Sequence, residues 1–197
     1  MINTEESTYW NQRYKQQLTG WDIGYASTPI VEYINQLEDK NLDILIPGAG
    51  KAWEVEYIFN RGFKNVIYLD FASLSSKYFK ARCPDFPDSQ IITGDFFKHE
   101  GKYDLIIEQT FFSSLQPLQR QDYVAKTAEL LKNNGKVAGL LFDINFPFQG
   151  PPFGGSYREY KLLFEKAFNF IHFEKCKNSI KPRKGNELFL LLQKKAL

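Results

Sequence analysis

The stretch LDILIPGAGKAWEVEYIF, residues 42–59, contains the pattern that decides the fold. An apolar run comes first, Gly48 and Gly50 follow, and apolar residues then recur at helical spacing. Because glycine has no Cβ atom, it lets the backbone turn sharply and lets a ligand approach it closely. The stretch therefore predicts a strand, a glycine turn and a helix, an arrangement that often binds a nucleotide.

Outward from this stretch, short apolar runs alternate with segments of helical spacing. We predict strands at 42–47, 65–70, 89–94, 103–108 and 136–142, and helices at 51–61, 72–82 and 119–132. Mostly continuous apolar runs are typical of strands that are covered on both faces. The alternation predicts an α/β fold with a doubly wound, parallel sheet.

The C-terminal part of the chain has a different pattern. It predicts a helix at 156–168 and then two strands, at 169–177 and 187–195, joined by a short turn. Two strands joined in this way must pair antiparallel. We therefore predict a mostly parallel seven-stranded sheet with an antiparallel C-terminal strand pair, which resembles the Rossmann-like fold of class I S-adenosylmethionine-dependent methyltransferases. Residues 1–197 are expected to form one domain.

The composition argues against several classes of protein. The apolar fraction is 43% and the formal net charge is +2, so neither disorder nor a strongly charged partner is indicated. Basic residues alternate with acidic ones, which argues against a nucleic-acid partner. No apolar run approaches the ~18 residues of a membrane span, and the polar N-terminus lacks a signal-peptide pattern. We expect a cytoplasmic protein, a monomer or weak homodimer, that acts on a small molecule without a membrane partner.

The sequence offers few residues for a metal site or a histidine base. His99 and His172 are the only histidines, and neither has metal-ligand spacing. Cys83 and Cys176 are the only cysteines, and in a cytosolic chain we expect both to be reduced. We therefore predict no metal site and a reaction that needs no histidine base.

Two carboxylates that follow later strands bear on the identity of the nucleotide. Asp70 ends the second predicted strand, where it can accept both ribose hydroxyls of NAD or of S-adenosylmethionine, or else cap the next helix. Asp95 and Phe96 follow the third strand, where a carboxylate can accept the adenine amino group and an aromatic ring can stack on the base. Trp53 occupies the third glycine position of the G-x-G-x-x-G pattern, which speaks against NAD.

With these residues in view, the chain resembles the thiopurine S-methyltransferase-like family, and within it the halide/thiol methyltransferase branch. The resemblance covers nearly the whole chain. The matching segments, in order, are YWNQRYKQQLTGWDIGYASTPIV (9–31), IPGAGKAWEV (46–55), LD (69–70), GDFF (94–97), YDLIIEQTFFSSLQPLQRQDYV (103–124), GPPFGGS (150–156) and PRKGNE (182–187).

The resemblance implies S-adenosylmethionine as cofactor, with S-adenosylhomocysteine as product. It also implies that residues 1–28 form an N-terminal arm over the cofactor site, and that an acid at position 54 supports the glycine turn. The cofactor-binding residues that it implies are Trp10, Trp21, Gly48, Gly50, Asp70, Asp95, Phe96 and Gln109.

The acceptor end of the site is expected to be a small apolar pocket with aromatic walls. Phenylalanines in the loops after the fourth and fifth strands are candidates for these walls, although some of them are expected to be ordinary core. Arg183 stands where the family also carries a basic residue, so it either lines the mouth of the pocket or is a solvated turn charge. The residues predicted to bind substrate are Phe111, Phe112, Phe146, Phe153 and Arg183.

The predicted acceptor is a small nucleophile, a thiol or thiolate or a halide. Thiopurine methyltransferases carry an arginine at the position of Gln109, and a neutral glutamine there disfavours anionic aromatic substrates. In-line displacement depends on positioning, so no residue is predicted to act as a catalytic acid or base. Two other hypotheses are an S-adenosylmethionine-binding sensor or interaction module without turnover, and an NAD-dependent oxidoreductase.

Overall fold

A seven-stranded sheet runs through the centre of the computed structural model, which describes residues 6–196. Its strand order is β3-β2-β1-β4-β5-β7-β6. The strands are β1 (Asp43–Pro47), β2 (Asn65–Asp70), β3 (Ile91–Thr93), β4 (Tyr103–Gln109), β5 (Leu131–Phe142), β6 (Phe168–Lys175) and β7 (Glu187–Lys194). The first five strands run parallel, whereas β7 lies antiparallel between β5 and β6. The predicted sheet with its antiparallel C-terminal pair is confirmed.

Helices cover both faces of this sheet. They are α1 (Ser7–Lys15), α2 (Thr28–Asn35), α3 (Trp53–Asn60), α4 (Ser73–Arg82), α5 (Arg120–Leu130) and α6 (Tyr157–Phe164). Successive side chains of a strand point to opposite faces, so Ile44 and Ile46 of β1 join one core cluster and Leu45 joins the other. The first cluster includes residues of α2, α3 and α4, and the second includes residues of α5 and α6. The sheet is therefore doubly wound.

The strand order predicts a ligand-binding site at the carboxyl ends of β1 and β4. From β1 the chain proceeds to β2 on one side, whereas β4 lies on the other side. In open parallel sheets, ligands bind outside the carboxyl ends of the strands at such a reversal of strand order. The loops after β1, β2, β3 and β4 all lie at this end of the sheet.

Two details of secondary structure differ from the expectation. Helix α2 was not predicted, although Ser27-Thr28 before Pro29 is a recognisable helix start, since proline suits the first helical turn. Helix α5 ends at Leu130, and β5 begins at the next residue instead of after the Asn-Gly segment. That segment forms an irregular part of β5, in which Asn134 has a φ of 62°.

No helix among residues 6–196 is long and apolar enough to cross a membrane. Within the same range, no group of three or more His, Cys, Asp and Glu side chains is arranged to hold a metal ion.

Candidate active site

The glycine turn after β1 is held in place by Asp70. Gly48 and Gly50 both have a φ of 59°, a conformation that favours glycine, and a Cβ atom at Gly48 would overlap the Phe111 ring. The Gly50 N–H donates to Asp70 Oδ2 at 2.8 Å, and the Ala72 N–H donates to Asp70 Oδ1 at 2.7 Å. The carboxylate therefore ties β2 both to the turn and to the start of α4.

A cavity of about 610 Å³ opens above this turn. Asp70 lies at its wall and is 8% exposed, and burial raises the pKa of its carboxyl group. Six of the residues predicted to bind cofactor line the cavity, namely Trp10, Trp21, Gly48, Asp70, Asp95 and Phe96. Three of the residues predicted to bind substrate also line it, namely Phe111, Phe146 and Arg183. The fold thus brings residues from distant parts of the sequence to one site.

Residues 6–28 of the predicted arm, called the N-terminal segment below, lie over one side of the cavity. Residues 1–5 of that prediction lie outside the described residues. Trp10 and Trp21 meet edge to face with ring centroids 5.6 Å apart. The Trp53 indole Nε1 donates to Asp22 Oδ1 at 2.8 Å, and Lys51 pairs with Asp22 Oδ2 at 2.6 Å. Trp53 therefore points toward this segment. It does not enter the interface between helix and strand where the third glycine of a G-x-G-x-x-G pattern packs.

A second contact fixes the end of the same segment. The Ser27 N–H donates to Glu54 Oε1 at 2.9 Å, and Glu54 is 8% exposed. Burial raises the pKa of the Glu54 carboxyl group. Its contact is with the N-terminal segment, whereas the glycine turn is held by Asp70.

The loop after β3 supplies the far end of the cavity. Asp95 Oδ1 accepts the Phe97 N–H at 2.9 Å, and this bond fixes the orientation of the carboxylate. Phe96 is only 4% exposed, and its ring packs against Tyr123 and Phe111. Only a small part of the Phe96 ring reaches the cavity surface.

Arg183 is buried, so its interpretation as a solvated turn charge is wrong. It is 8% exposed, and its Nη2 atom donates to the Trp21 carbonyl at 2.8 Å. Its Nη1 atom lies 3.5 Å from Glu187 Oε1, and its guanidinium carbon lies 5.5 Å from the Phe142 ring centroid. A cation thus stands at the aromatic end of the cavity.

Phe112 does not line the cavity, so its assignment to the acceptor pocket is corrected. Its N–H donates to Glu108 Oε1 at 2.9 Å, and the short 3₁₀ turn that begins there directs the ring into the core. The ring packs edge to face against Tyr123 and Tyr160 and is 1% exposed. Sequence spacing did not distinguish it from Phe111, which lies beside the glycine turn.

Three further predicted residues lie outside the cavity lining. Gly50 is buried beneath the turn, and its N–H is used by Asp70. Gln109 ends β4 with its Oε1 atom buried, and Thr110, with a φ of 64°, lines the cavity instead. The Phe153 N–H donates to the Ser113 carbonyl at 2.6 Å, and the residue does not line the cavity. The two prolines before it form this part of the cavity wall.

Several lining residues were not predicted. Arg13 and Tyr14 of α1 line the cavity together with Trp10. These three residues stand at positions i, i+3 and i+4, so a helical face in the N-terminal segment is the signal that could have found them. The unpredicted wall of the acceptor end is formed by Phe142, Pro151, Pro152 and Pro182.

The residues around the cavity fit an adenosyl cofactor. Each Asp70 oxygen accepts one backbone N–H and keeps further lone pairs, which can accept ribose hydroxyls. Asp95 lies at the end of the neighbouring strand, where its carboxylate can accept an adenine amino group. The order of the strands and the position of this site define the class I S-adenosylmethionine-dependent methyltransferases.

Solved structures share this fold at low sequence identity. A TehB-like S-adenosylmethionine-dependent methyltransferase from Corynebacterium glutamicum is 18% identical with a TM-score of 0.68, over 96% of this chain and 98% of that chain. The 1,6-didemethyltoxoflavin-N1-methyltransferase of Burkholderia thailandensis, solved with 1,6-didemethyltoxoflavin and S-adenosylhomocysteine, is 14% identical with a TM-score of 0.77. That match covers 96% of this chain and 87% of that chain.

Residues 5–193 match the family model of thiopurine S-methyltransferase (TPMT). A probable thiol methyltransferase 2 of Arabidopsis thaliana is 27% identical over 193 residues, which are 95% of this chain and 85% of the relative. A thiocyanate methyltransferase 1 of Brassica oleracea is 26% identical, over 93% of this chain and 84% of the relative. A thiopurine S-methyltransferase of Acinetobacter baylyi is 23% identical, over 90% and 92%. The chain belongs to the thiopurine S-methyltransferase family, and it is an S-adenosylmethionine-dependent methyltransferase.

Proposed function

We propose that this enzyme transfers the methyl group of S-adenosylmethionine to a small anionic nucleophile, either a thiolate or a halide. The observation that carries the proposal is the chemistry of the acceptor end. A buried cation, Arg183, lies there among Phe142, Phe146 and prolines, with Glu187 on its other side. A compact anion matches an apolar pocket with a guanidinium group in its wall better than a large polar acceptor does.

The chemistry that this pocket has to perform is simple. The cofactor supplies a methyl group on a positively charged sulfur, and an anion that attacks it neutralises charge as the bond forms. Such a step is faster when water is excluded and when the nucleophile is held in line with the bond that breaks. Thiols with a pKa near ~8.5 are already a few per cent thiolate at neutral pH, and halides carry no proton. No general base is required of the chain.

Individual residues can meet these requirements. The Arg183 guanidinium, which is fixed by the Trp21 carbonyl and by Glu187, can attract and orient the anion. The Phe111 and Phe146 rings can exclude water and stabilise positive charge on the sulfur through their π faces. The plant relatives are a probable thiol methyltransferase and a thiocyanate methyltransferase, and both names agree with a small sulfur nucleophile.

A substrate panel tests the proposal. The enzyme is incubated with labelled S-adenosylmethionine and thiocyanate, bisulfide, iodide, a small aliphatic thiol or an aromatic thiol. We expect methylated product from the small anions and much less from the aromatic thiol. Binding of S-adenosylhomocysteine without product from any acceptor would contradict the proposal and favour a sensor.

A variant pair tests the role of Arg183. Arg183→Gln removes the charge, and we expect a roughly tenfold or larger rise in KM for the anion, because an interaction between charged groups is lost. Lys184→Gln removes an exposed charge at the next position and serves as the matched control. Equal KM values in the two variants would contradict the assignment of the anion to Arg183.

A further inference from the structure

Arg13 brings a positive charge to the cavity that no residue of the described chain balances. It lines the cavity, and its Nε atom is buried without a hydrogen-bond partner among residues 6–196. Its guanidinium carbon lies 5.8 Å from the Trp21 ring centroid. A buried guanidinium N–H without a partner is costly, so a bound ligand is expected to supply the acceptor.

Asp22, Asp70 and Asp95 lie in this part of the molecule, and each has a partner other than Arg13. Both oxygens of Asp70 accept backbone N–H groups, and Asp22 is paired with Lys51 and Trp53. Asp95 accepts the N–H of residue 97. Within the part of the chain that the structure describes, no carboxylate forms an ion pair with Arg13. The missing anion therefore has to come from the ligand.

The position of Arg13 indicates which part of the ligand carries this anion. Asp95 follows β3 and Asp70 ends β2, so an adenosyl group held by these two carboxylates would extend along the carboxyl ends of the strands toward β1. The amino-acid end of such a ligand would then lie at the turn after β1. Tyr14, the next residue after Arg13, places its hydroxyl 3.1 Å from an ideal Cβ position on Gly50, so α1 covers this turn.

The backbone that carries Arg13 is anchored independently of any ligand. Asn11 Oδ1 accepts the Leu74 N–H at 3.0 Å at the start of α4, and Asn11 Nδ2 donates to the Ser7 carbonyl at 3.0 Å. The first bond holds helix α1 against α4, and the second fixes the Asn11 side chain on its own helix. Arg13 is therefore presented to the cavity by a fixed element.

We propose that Arg13 binds the carboxylate of the methionyl group of S-adenosylmethionine. A guanidinium group matches a carboxylate with two parallel hydrogen bonds, and the Trp21 ring can hold its plane in place. The contact lies at the end of the cofactor farthest from the adenine. It therefore contributes to binding and orientation of the cofactor, and Arg13 is a cofactor-binding residue with no part in the transfer step. The inference is independent of which acceptor the enzyme methylates.

Two ligands separate this role from a general structural one. S-adenosylhomocysteine carries the amino-acid carboxylate, whereas 5′-methylthioadenosine has the same adenosine and thioether without it. We expect Arg13→Gln to weaken binding of S-adenosylhomocysteine by roughly ten- to a hundredfold, the effect of losing a charged hydrogen-bond pair. Binding of 5′-methylthioadenosine should change by less than about twofold. Titration calorimetry measures all four affinities.

Two further variants complete the test. Arg13→Lys keeps the charge and should recover part of the lost affinity for S-adenosylhomocysteine. Lys15→Gln, at an exposed position of the same helix, should leave both affinities unchanged. An equal loss for both ligands in Arg13→Gln, no loss for either, or a wild type that binds neither ligand would each overturn the inference. Binding of S-adenosylhomocysteine with the expected difference but no methylation of any small anion would contradict the proposed acceptor and leave Arg13 in this role.

Discussion

At the scale of single residues, Asp70 combines two interpretations that the sequence presented as alternatives. It caps the segment before α4 through Ala72 and it also lies at the cavity wall. Because Gly50 donates to its second oxygen, the carboxylate couples ligand binding to the shape of the glycine turn. A substitution there should affect both properties.

The variant Asp70→Asn measures this coupling. An amide nitrogen cannot accept the second backbone N–H, so one buried donor loses its acceptor and the ribose loses a charged partner. We expect the affinity for S-adenosylhomocysteine to fall more than tenfold, with a decrease of about 1–3 kcal/mol in the free energy of unfolding. Calorimetry and urea unfolding measure the two effects. Unchanged affinity would remove Asp70 from the cofactor site.

Glu108 is a second residue whose environment has a measurable consequence. It is 1% exposed, it accepts the Phe112 N–H and the Tyr123 hydroxyl, and burial raises the pKa of its carboxyl group to about 7. The ordinary pKa of this group is 4.5. At pH values between 4.5 and 7, Glu108 keeps a proton in the folded protein that it releases in the unfolded chain. The contribution of Glu108 to stability is therefore present at low pH and is lost as the pH rises through this range.

The variant Glu108→Gln should remove this dependence. From pH 4 to pH 8, we expect wild type to lose about 3 kcal/mol of unfolding free energy relative to Glu108→Gln. Urea unfolding of both proteins at the two pH values measures the difference, and Glu165→Gln, at an exposed position, is the control. A constant difference between wild type and Glu108→Gln would show that Glu108 ionises in the folded protein as it does in water.

At the scale of elements, the N-terminal segment depends on Asp22, which contacts Lys51 and Trp53. Asp22→Asn weakens the ion pair with Lys51, so this segment should open more often. We expect tryptic cleavage after Lys15 to become roughly tenfold faster, as local opening becomes easier by about 1 kcal/mol or more. Asp88→Asn, which breaks an exposed ion pair with Lys80, should not change this rate. Equal cleavage rates in both variants would mean that Asp22 does not hold the segment.

The sequence predicted those elements whose pattern is local. Gly48 and Asp70 follow apolar strands directly, so spacing alone brought them to one sheet edge. Phe112 was misplaced because one turn of 3₁₀ helix decides which of two adjacent phenylalanines faces the cavity. Arg13 was missed because its neighbour Trp21 belongs to a loop whose path depends on contacts with Lys51, Trp53 and Arg183.

At the scale of the whole molecule, the cavity joins three remote parts of the chain: the N-terminal segment, the turn after β1 and the loop before β7. A ligand that binds only the folded state at a concentration of 100 times its Kd stabilises that state by about 2.7 kcal/mol. We expect S-adenosylhomocysteine to slow amide hydrogen exchange at 9–27 and 48–53 together. Residues 60–64, at the opposite end of the sheet, are the internal reference. Protection confined to one of the two segments would contradict a shared site.

The hydrogen bond from Arg183 to the Trp21 carbonyl spans 162 positions of sequence. Trp21 leaves the ribosome well before Arg183, and chains begin to fold while they are still being made. This corner of the cavity can therefore close only after residue 183 has been synthesised. A shorter nascent chain lacks this wall of the site, whatever part of the N-terminal half has already folded.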